Sequence, residues 1–556
     1  MPTAAPKDLL PSAHVDHWPR KQLPPAEEWP VFKLEGRYEY PARLNAAERL
    51  LDDAVRDGHR SRPALITRNA AGEWAETSYG DLQKQVDAIA HVLTADLGLV
   101  PGNRVLLRGF NGRWMAAAWL ATVKAGLVAV TTMPMLRAKE LRVIIERSQC
   151  QAALCDARLE DELREAVKAP STVTNLVTWG NDPEDAPHAL EARMATHTSP
   201  FAAVPTSRDD VCLIAFTSGT TGHPKGCMHF HRDVIAMCDG FSAQVLHMMP
   251  SDRSIGTPPL AFTFGLGGLL CFPLAARGAA VLIEKATPES LLDAIDATGA
   301  TVSFTAPTFY RQMAIALSRN AGRWSLKSLR TSVSAGEALP DATRNFWRQE
   351  THLEMLDGIG ATELIHIFIA AADRDVRPGA IGRAVPGYEI AILDNQLQSV
   401  PIGMVGRLAV RGPTGCRYLN DPRQRDYVQG GWNITGDAAM MDADGYVYFK
   451  ARTDDLILSS GYNIGAPEVE SAVLQHESVA ECAVIGVKDE DRGQAVKAFV
   501  VLKPGYEPSD ALVRDLQDFV KANIAPYKYP RLVEFVAALP KTDTGKLQRF
   551  RLKETS

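Results

Sequence analysis

Ten consecutive residues, Thr217 to Gly226, read TSGTTGHPKG and hold four hydroxyls, three glycines and one lysine. They follow the apolar run VCLIAF, so a buried strand gives way to residues that cannot pack a core. Small side chains let a backbone approach a ligand, and hydroxyl and N–H groups aimed at one point cradle an anion. Phosphate suits such a cradle, but the spacing is not that of a Walker loop, which needs Gly-Lys followed by Ser or Thr at the head of a helix. Here Lys225 stands between Pro224 and Gly226. Other stretches share this character. SAGEALP (Ser334–Pro340) and DGIGATE (Asp357–Glu363) each follow an apolar run and contain an acid in a turn. ITGD (Ile434–Asp437) sets a carboxylate after a glycine, and PKTDTGKLQRF puts Lys546 on a turn behind a hydroxyl and a glycine. Alone, each is an ordinary turn; in this order along one chain they form a set. No Ser-His-Asp or Cys-His arrangement at convincing spacing accompanies them.

The elements that must position these loops read as alternating strands and helices. RVLLRG, the helical RWMAAAWLATVKAG, LVAVTTM, the amphipathic AKELRVIIERSQ and QAALCDA follow one another from Arg104. The rhythm returns in AAVLIEKA, the helix PESLLDAIDATG, TVSFTAP and SLRTSVSAG. Strands separated by helical patterns predict an α/β fold of βαβ units and mainly parallel sheets. Residues 381–450 are turn- and strand-rich and read as a small β-barrel or β-sheet appendage. After Arg452 the pattern becomes a compact α+β unit of about 100 residues. The expected division is an N-terminal domain, 1–452, and a mobile C-terminal domain, 453–556, hinged at Thr453–Asp455.

Bulk properties exclude several classes. At 556 residues the chain exceeds one core. Its formal charge of −6 comes from acids and bases mixed along the length, with no basic block to suit nucleic acid. The longest apolar candidate, WMAAAWLATVKAGLVAV, is interrupted by Lys124 and Gly126 and reads as a buried helix and strand, not a membrane span. The first residues carry no apolar signal region. Eight cysteines without CxxC or Cys/His ligand spacing read as reduced thiols of a cytoplasmic protein.

On these motifs the chain resembles the adenylate-forming acyl-CoA synthetase superfamily over its whole length. DGIGATELIHIF and the opening LPSAHVDHW…YPARLNAAERLLD resemble its benzoate-CoA ligase branch, the 2-aminobenzoate-CoA ligases most of all. The resemblance implies attack of a carboxylate on the α-phosphorus of ATP, loss of pyrophosphate, and transfer of the acyl group from the adenylate to the thiol of coenzyme A with release of AMP. Alignment and neutralisation of phosphate charge then carry catalysis. It implies that Thr217, Ser218, Gly219, Thr220, Thr221 and Gly222 grip the departing pyrophosphate, with Lys225 adding charge. Glu363, helped by Thr362, would carry Mg²⁺. Asp437 would accept both ribose hydroxyls, with Arg452 as a second contact. Gly336, Glu337 and Ala338 would flank the adenine, as would Gly358, Ile359 and Gly360, Ile359 standing where many relatives have a stacking aromatic. Lys546 would serve the adenylation transition state, Asp454 the hinge, and Gly461 the pantetheine channel.

The acid is expected among His229, Phe230, Phe262, Ala306, Ala335, Gly336, Ile359, Gly360 and His366. Apart from the aromatics and histidines these are small or flat, and none is a lysine or an acid, which suits an uncharged ring. Other readings stay open at this point. Glu337 could cap a helix starting at Leu339 or Pro340, and His229, His231 and His366 could simply pack. The thiol could belong to a carrier protein, the acid could be a medium-chain one, and a homodimer is compatible with the sequence.

Overall fold

The computed structural model describes residues 9–69, 71–168, 170–180, 189–217, 224–372, 375–452, 456–459, 462–489, 493–541 and 547–554. Two mainly parallel sheets form the body. One has nine strands, and its central run places Ala279–Val281, Arg253–Gly256, Val302–Thr305, Thr331–Ala335 and Met355–Gly360 side by side, all parallel. The other runs Asn175–Trp179, Ala152–Asp156, Arg104–Arg108, Val128–Thr132, Val211–Thr217, Lys225–Phe230, parallel except for the last pair. The βαβ expectation is met because the central strands are short, mostly apolar runs buried on both faces, as in Ala152–Asp156. The crossover helices carry their own signals. Thr287 forms a capping box with Ser290 at the start of Pro288–Thr298, and Gly299 closes that helix at φ +64°. The long apolar run becomes the helix Arg113–Lys124 and the strand Val128–Thr132, and no described helix is long and apolar enough to cross a membrane.

The third region is a five-stranded antiparallel sheet built from Glu389–Leu393, Val405–Arg411, Val428–Gln429, Trp432–Met441 and Val447–Arg452. It is the sheet alternative, since its edge strands pair with no further strand among the described residues. The C-terminal unit is a separate α+β domain. Its antiparallel core of Val479–Asp489 and Gly493–Leu502 is flanked by the helices Ala466–Val473 and Asp510–Asn523, which bury Val469, Val473, Leu516 and Val520 in one cluster. The eight cysteines are free and buried. The hinge segment Thr453–Asp455 lies outside the described residues, as do Ser218–His223, Gly461 and Lys546.

Candidate functional site

In open parallel sheets, ligands gather beyond the carboxyl ends of the strands. Here the ends of four neighbouring parallel strands bring together Thr257, Ala306, Gly336 and Gly360. Thr257 and Thr305 share a hydroxyl contact of 2.5 Å, and Ala335 pairs with Gly358 in register. Phe262 follows on the loop after Gly256. That loop is pinned to the second sheet by Asn111, which bonds the Pro258 carbonyl (2.9 Å) and the Leu260 amide (2.8 Å), and by Thr131, which donates to the Ala261 carbonyl (2.7 Å). The carboxyl ends of both sheets therefore meet at one place. Gly336 takes φ +90° there and is exposed, with Ala338 exposed beside it. Glu337 caps nothing: the next helix starts at Asp341, and the Glu337 carboxylate accepts the Thr308 hydroxyl at 2.6 Å.

The charged cluster is built around a residue the sequence reading passed over. Thr217 and Lys225 face each other across the antiparallel pair that brackets the glycine-rich loop. The Lys225 ammonium donates to the Tyr418 hydroxyl at 3.0 Å, and that hydroxyl donates to Oε1 of Glu363 at 2.5 Å. Burial and the Glu363 carboxylate push the Tyr418 phenol far above its usual range, so it stays protonated. Glu363 follows Thr362 in a single 3₁₀ turn and is buried. On the third sheet, Asp437 pairs with Arg452 in register and by an ion pair of 2.8 Å, and Arg452 also donates to the Thr435 carbonyl at 3.0 Å. Burial raises the Asp437 carboxyl above the ordinary range while Arg452 pulls it back. Gly436 takes φ +76°, a left-handed conformation that favours glycine at this turn.

The histidines separate. His231 accepts the Ala46 amide on Nδ1 at 3.0 Å, and burial drops it to about 3, so it is a neutral packing residue. His229 is fully buried with both ring nitrogens unbonded, 3.8 Å from Asp233. Burial opposes the Asp233 charge, but Arg417 at 2.9 Å outweighs it and holds that carboxyl at about 2. His366 sits in an aromatic nest, 4.5 Å from Phe272 and 5.6 Å from both Phe241 and Phe264, centroid to centroid. Its Nε2 lies 3.3 Å from the Phe264 carbonyl, which can only accept, so Nε2 carries the proton. Nδ1 is then a lone pair, and it is buried without a donor. Burial lowers this imidazole to about 3, so it is neutral. Gly267 makes room for it, since a Cβ there would stand 2.4 Å from the ring.

Phe230 is not brought into this group. Along Lys225–Phe230 alternate side chains point to opposite faces, so Phe230 lies across the sheet from Lys225 and His229. It packs with Met228 in another cluster, 6.1 Å from Trp29 and with the Arg417 guanidinium 4.0 Å over its ring. The aromatic walls around His366 come instead from Phe241, Phe264 and Phe272, which in sequence look like core. Ile359 is half-buried against the cluster that joins the first and third sheets, and Gly360 is exposed at the strand end.

Two parallel sheets meeting at their carboxyl ends, an antiparallel third sheet and a separate α+β unit make up the architecture of the adenylate-forming enzymes. More narrowly, the chain belongs to the AMP-binding enzyme family, whose model matches residues 51–417, followed by a match to the AMP-binding enzyme C-terminal domain over 468–546. It resembles the benzoate-CoA ligase branch of the AMP-forming acid–CoA ligases. It is 35% identical over 517 residues to the benzoate–CoA ligase of Thauera aromatica, covering 92% of this chain and 96% of that one. It superposes on the anthranilate CoA ligase AuaEII, crystallised with anthranoyl-AMP, with a TM-score of 0.86 at 32% identity, covering 94% of this chain and 99% of that one. A benzoate CoA ligase from Burkholderia xenovorans LB400 gives 0.82 at 30% identity, covering 92% and 99%.

Proposed function

We propose that this enzyme activates an aromatic carboxylate, 2-aminobenzoate or benzoate, as its acyl-adenylate and passes it to coenzyme A. The observation that carries the acid's identity is His366: a neutral imidazole in an aromatic nest, with one lone pair that no group among the described residues satisfies. A flat ring suits aromatic walls, and an ortho-amine could donate to that lone pair. The relatives named for benzoate and anthranilate support the same class. Lys225 and the loop Thr217–Gly222 would grip the pyrophosphate portion of ATP, and Asp437 with Arg452 the ribose.

Glu363 is the residue to hold Mg²⁺. No group of three or more His, Cys, Asp or Glu side chains suited to a metal occurs among the described residues. A single carboxylate fits an ion that takes most of its ligands from phosphate and water. When bound, the ion neutralises phosphate charge; the protein's part is to present one free carboxylate oxygen and the Lys225 cation on either side. Lys546 would serve adenylation, and after a swing about Asp454 Gly461 would leave room for pantetheine.

Steady-state kcat/KM for 2-aminobenzoate, benzoate and octanoate, with AMP release followed in ATP and coenzyme A, tests the reading. One unsatisfied acceptor discriminates modestly, so 2-aminobenzoate should lead benzoate by about 10–100-fold, roughly 1.4–2.7 kcal/mol. Octanoate should trail both. Octanoate above benzoate sinks the aryl reading, whereas benzoate well above 2-aminobenzoate sinks only the amino preference.

A further inference from the structure

We propose that Tyr418 is the positioning residue of the metal–nucleotide site: it fixes the Glu363 carboxylate and keeps it out of a direct ion pair with Lys225. This rests on Glu363 serving the metal and Lys225 the phosphates. A lysine can only donate and a carboxylate can only accept, so the hydroxyl between them has one possible arrangement. It accepts from Lys225 at 3.0 Å and donates its single proton to Glu363 at 2.5 Å. Oε1 of Glu363 is thereby engaged and Oε2 is left for a ligand.

The ring has little freedom to do otherwise. Tyr418 is fully buried, and its backbone is stitched to the strand that carries Lys225. Cys227 and Tyr418 form a β-bridge, the Met228 amide donates to the Arg417 carbonyl (2.8 Å), and the Leu419 amide donates to the Gly226 carbonyl (2.8 Å). The Tyr418 amide is held by Gln424 at 2.9 Å, and neighbouring Arg417 is locked on Asp233. Remove the hydroxyl, and a buried carboxylate and a half-buried ammonium face each other with nothing between them. Direct pairing would then satisfy both, and would have to be broken whenever a metal-bound triphosphate arrives.

Calorimetric binding to the full-length enzyme without acid or coenzyme A tests this apart from turnover. ATP is titrated once with Mg²⁺ and once with EDTA, into wild type, Tyr418→Phe, Glu363→Gln and the double variant, each checked for folding by thermal melting. Tyr418→Phe should weaken Mg·ATP by about tenfold, the size of one charge-assisted hydrogen bond, and metal-free ATP by less than about threefold. The double variant should be no weaker than Glu363→Gln, because Tyr418 acts through that carboxylate. Unchanged Mg·ATP binding in Tyr418→Phe, or equal losses with and without metal, overturns the proposal and leaves Tyr418 as a loop anchor. Should Tyr418→Phe melt early, 3-fluorotyrosine at position 418 keeps the shape but makes a stronger donor and weaker acceptor. It should shift Mg·ATP binding and not metal-free binding; no shift overturns the proposal. If wild type and Glu363→Gln respond identically to Mg²⁺, the reading of Glu363 itself has failed and the proposal falls with it, a pattern distinct from a failure at Tyr418 alone.

Discussion

Glu363 and His366 stand three residues apart, yet the sites they enter are built on opposite physics. Around Glu363 the polar groups are charged or bridge charges: Lys225, the Tyr418 hydroxyl, and Asp437 with Arg452. Around His366 the described neighbours are aromatic rings and a backbone carbonyl, and its Nδ1 lone pair has no partner among the described residues. The chain turns from one to the other through Ile365 at φ +65°, an uncommon conformation for a β-branched residue. That strain sits where side chains three residues apart enter two different environments. On the function proposed above, the charged half would balance phosphate charge, and the neutral acceptor would tell apart ring acids differing by one polar group.

The comparison breaks first if charge is not what the nucleotide half supplies. Lys546→Ala should cut adenylate formation by about 10²–10³-fold or more, the loss of one charge-assisted contact to the transition state. Thioester formation from supplied aryl-adenylate should persist, with thermal melting of the variant as the check on its fold. Equal falls in both half-reactions would dissolve the division of labour. Asp454→Pro should fix φ near −65° and trap one domain orientation, leaving adenylation and removing thioester formation. Gly461→Leu should do the same if, as proposed, Gly461 leaves room for pantetheine. Normal coenzyme A turnover in both variants argues against domain alternation.

The neutral half is sharpened by His366→Leu, which keeps similar volume and deletes the lone pair. The kcat/KM ratio of 2-aminobenzoate to benzoate should drop about tenfold, roughly the net value of one hydrogen bond. Benzoate itself should change by less than about threefold, because it makes no use of the acceptor. A ratio that stays put assigns the ortho-amine to another group, His229 first.

How much of this was legible before the fold was seen depends on whether a residue acts locally. The membership of the family was legible because motifs such as the hydroxyls, glycines and lysine of Thr217–Gly226 occur together in ten residues. The βαβ body was legible because buried strands and amphipathic helices each imprint a period, and boundaries such as Arg113–Lys124 fell within two residues of the apolar pattern. Tyr418 was not legible: its partners Lys225 and Glu363 are 193 and 55 positions away, and its own stretch is an unremarkable turn. The packing of Phe241, Phe264 and Phe272 around His366 was hidden because nothing in one sequence says which buried aromatics meet. Phe230 was expected in the slot beside His229. The period of two in Lys225–Phe230 separates them.

The smallest expected effect concerns Asp357, which opens the DGIGATE stretch on the strand between the two halves. Burial raises its carboxyl to about 7, with Arg344 opposing, and one oxygen accepts the Gly358 amide at 3.0 Å. A carboxyl whose folded pKa lies above its unfolded value binds its proton more tightly when folded. Its stabilising contribution is complete below about pH 4 and is lost as pH rises through about 7. Asp357→Asn keeps an oxygen for the Gly358 amide and removes the titration. The full shift would correspond to about 4 kcal/mol, but the residue is only half-buried and solvent screens it, so about 1–2 kcal/mol is expected. Melting the two proteins from pH 4.5 to 8 should show the wild type losing more stability than Asp357→Asn, by a couple of degrees at the upper end. Parallel curves would mean that Asp357 is ionised throughout and that the neutral environment of His366 does not extend along this strand.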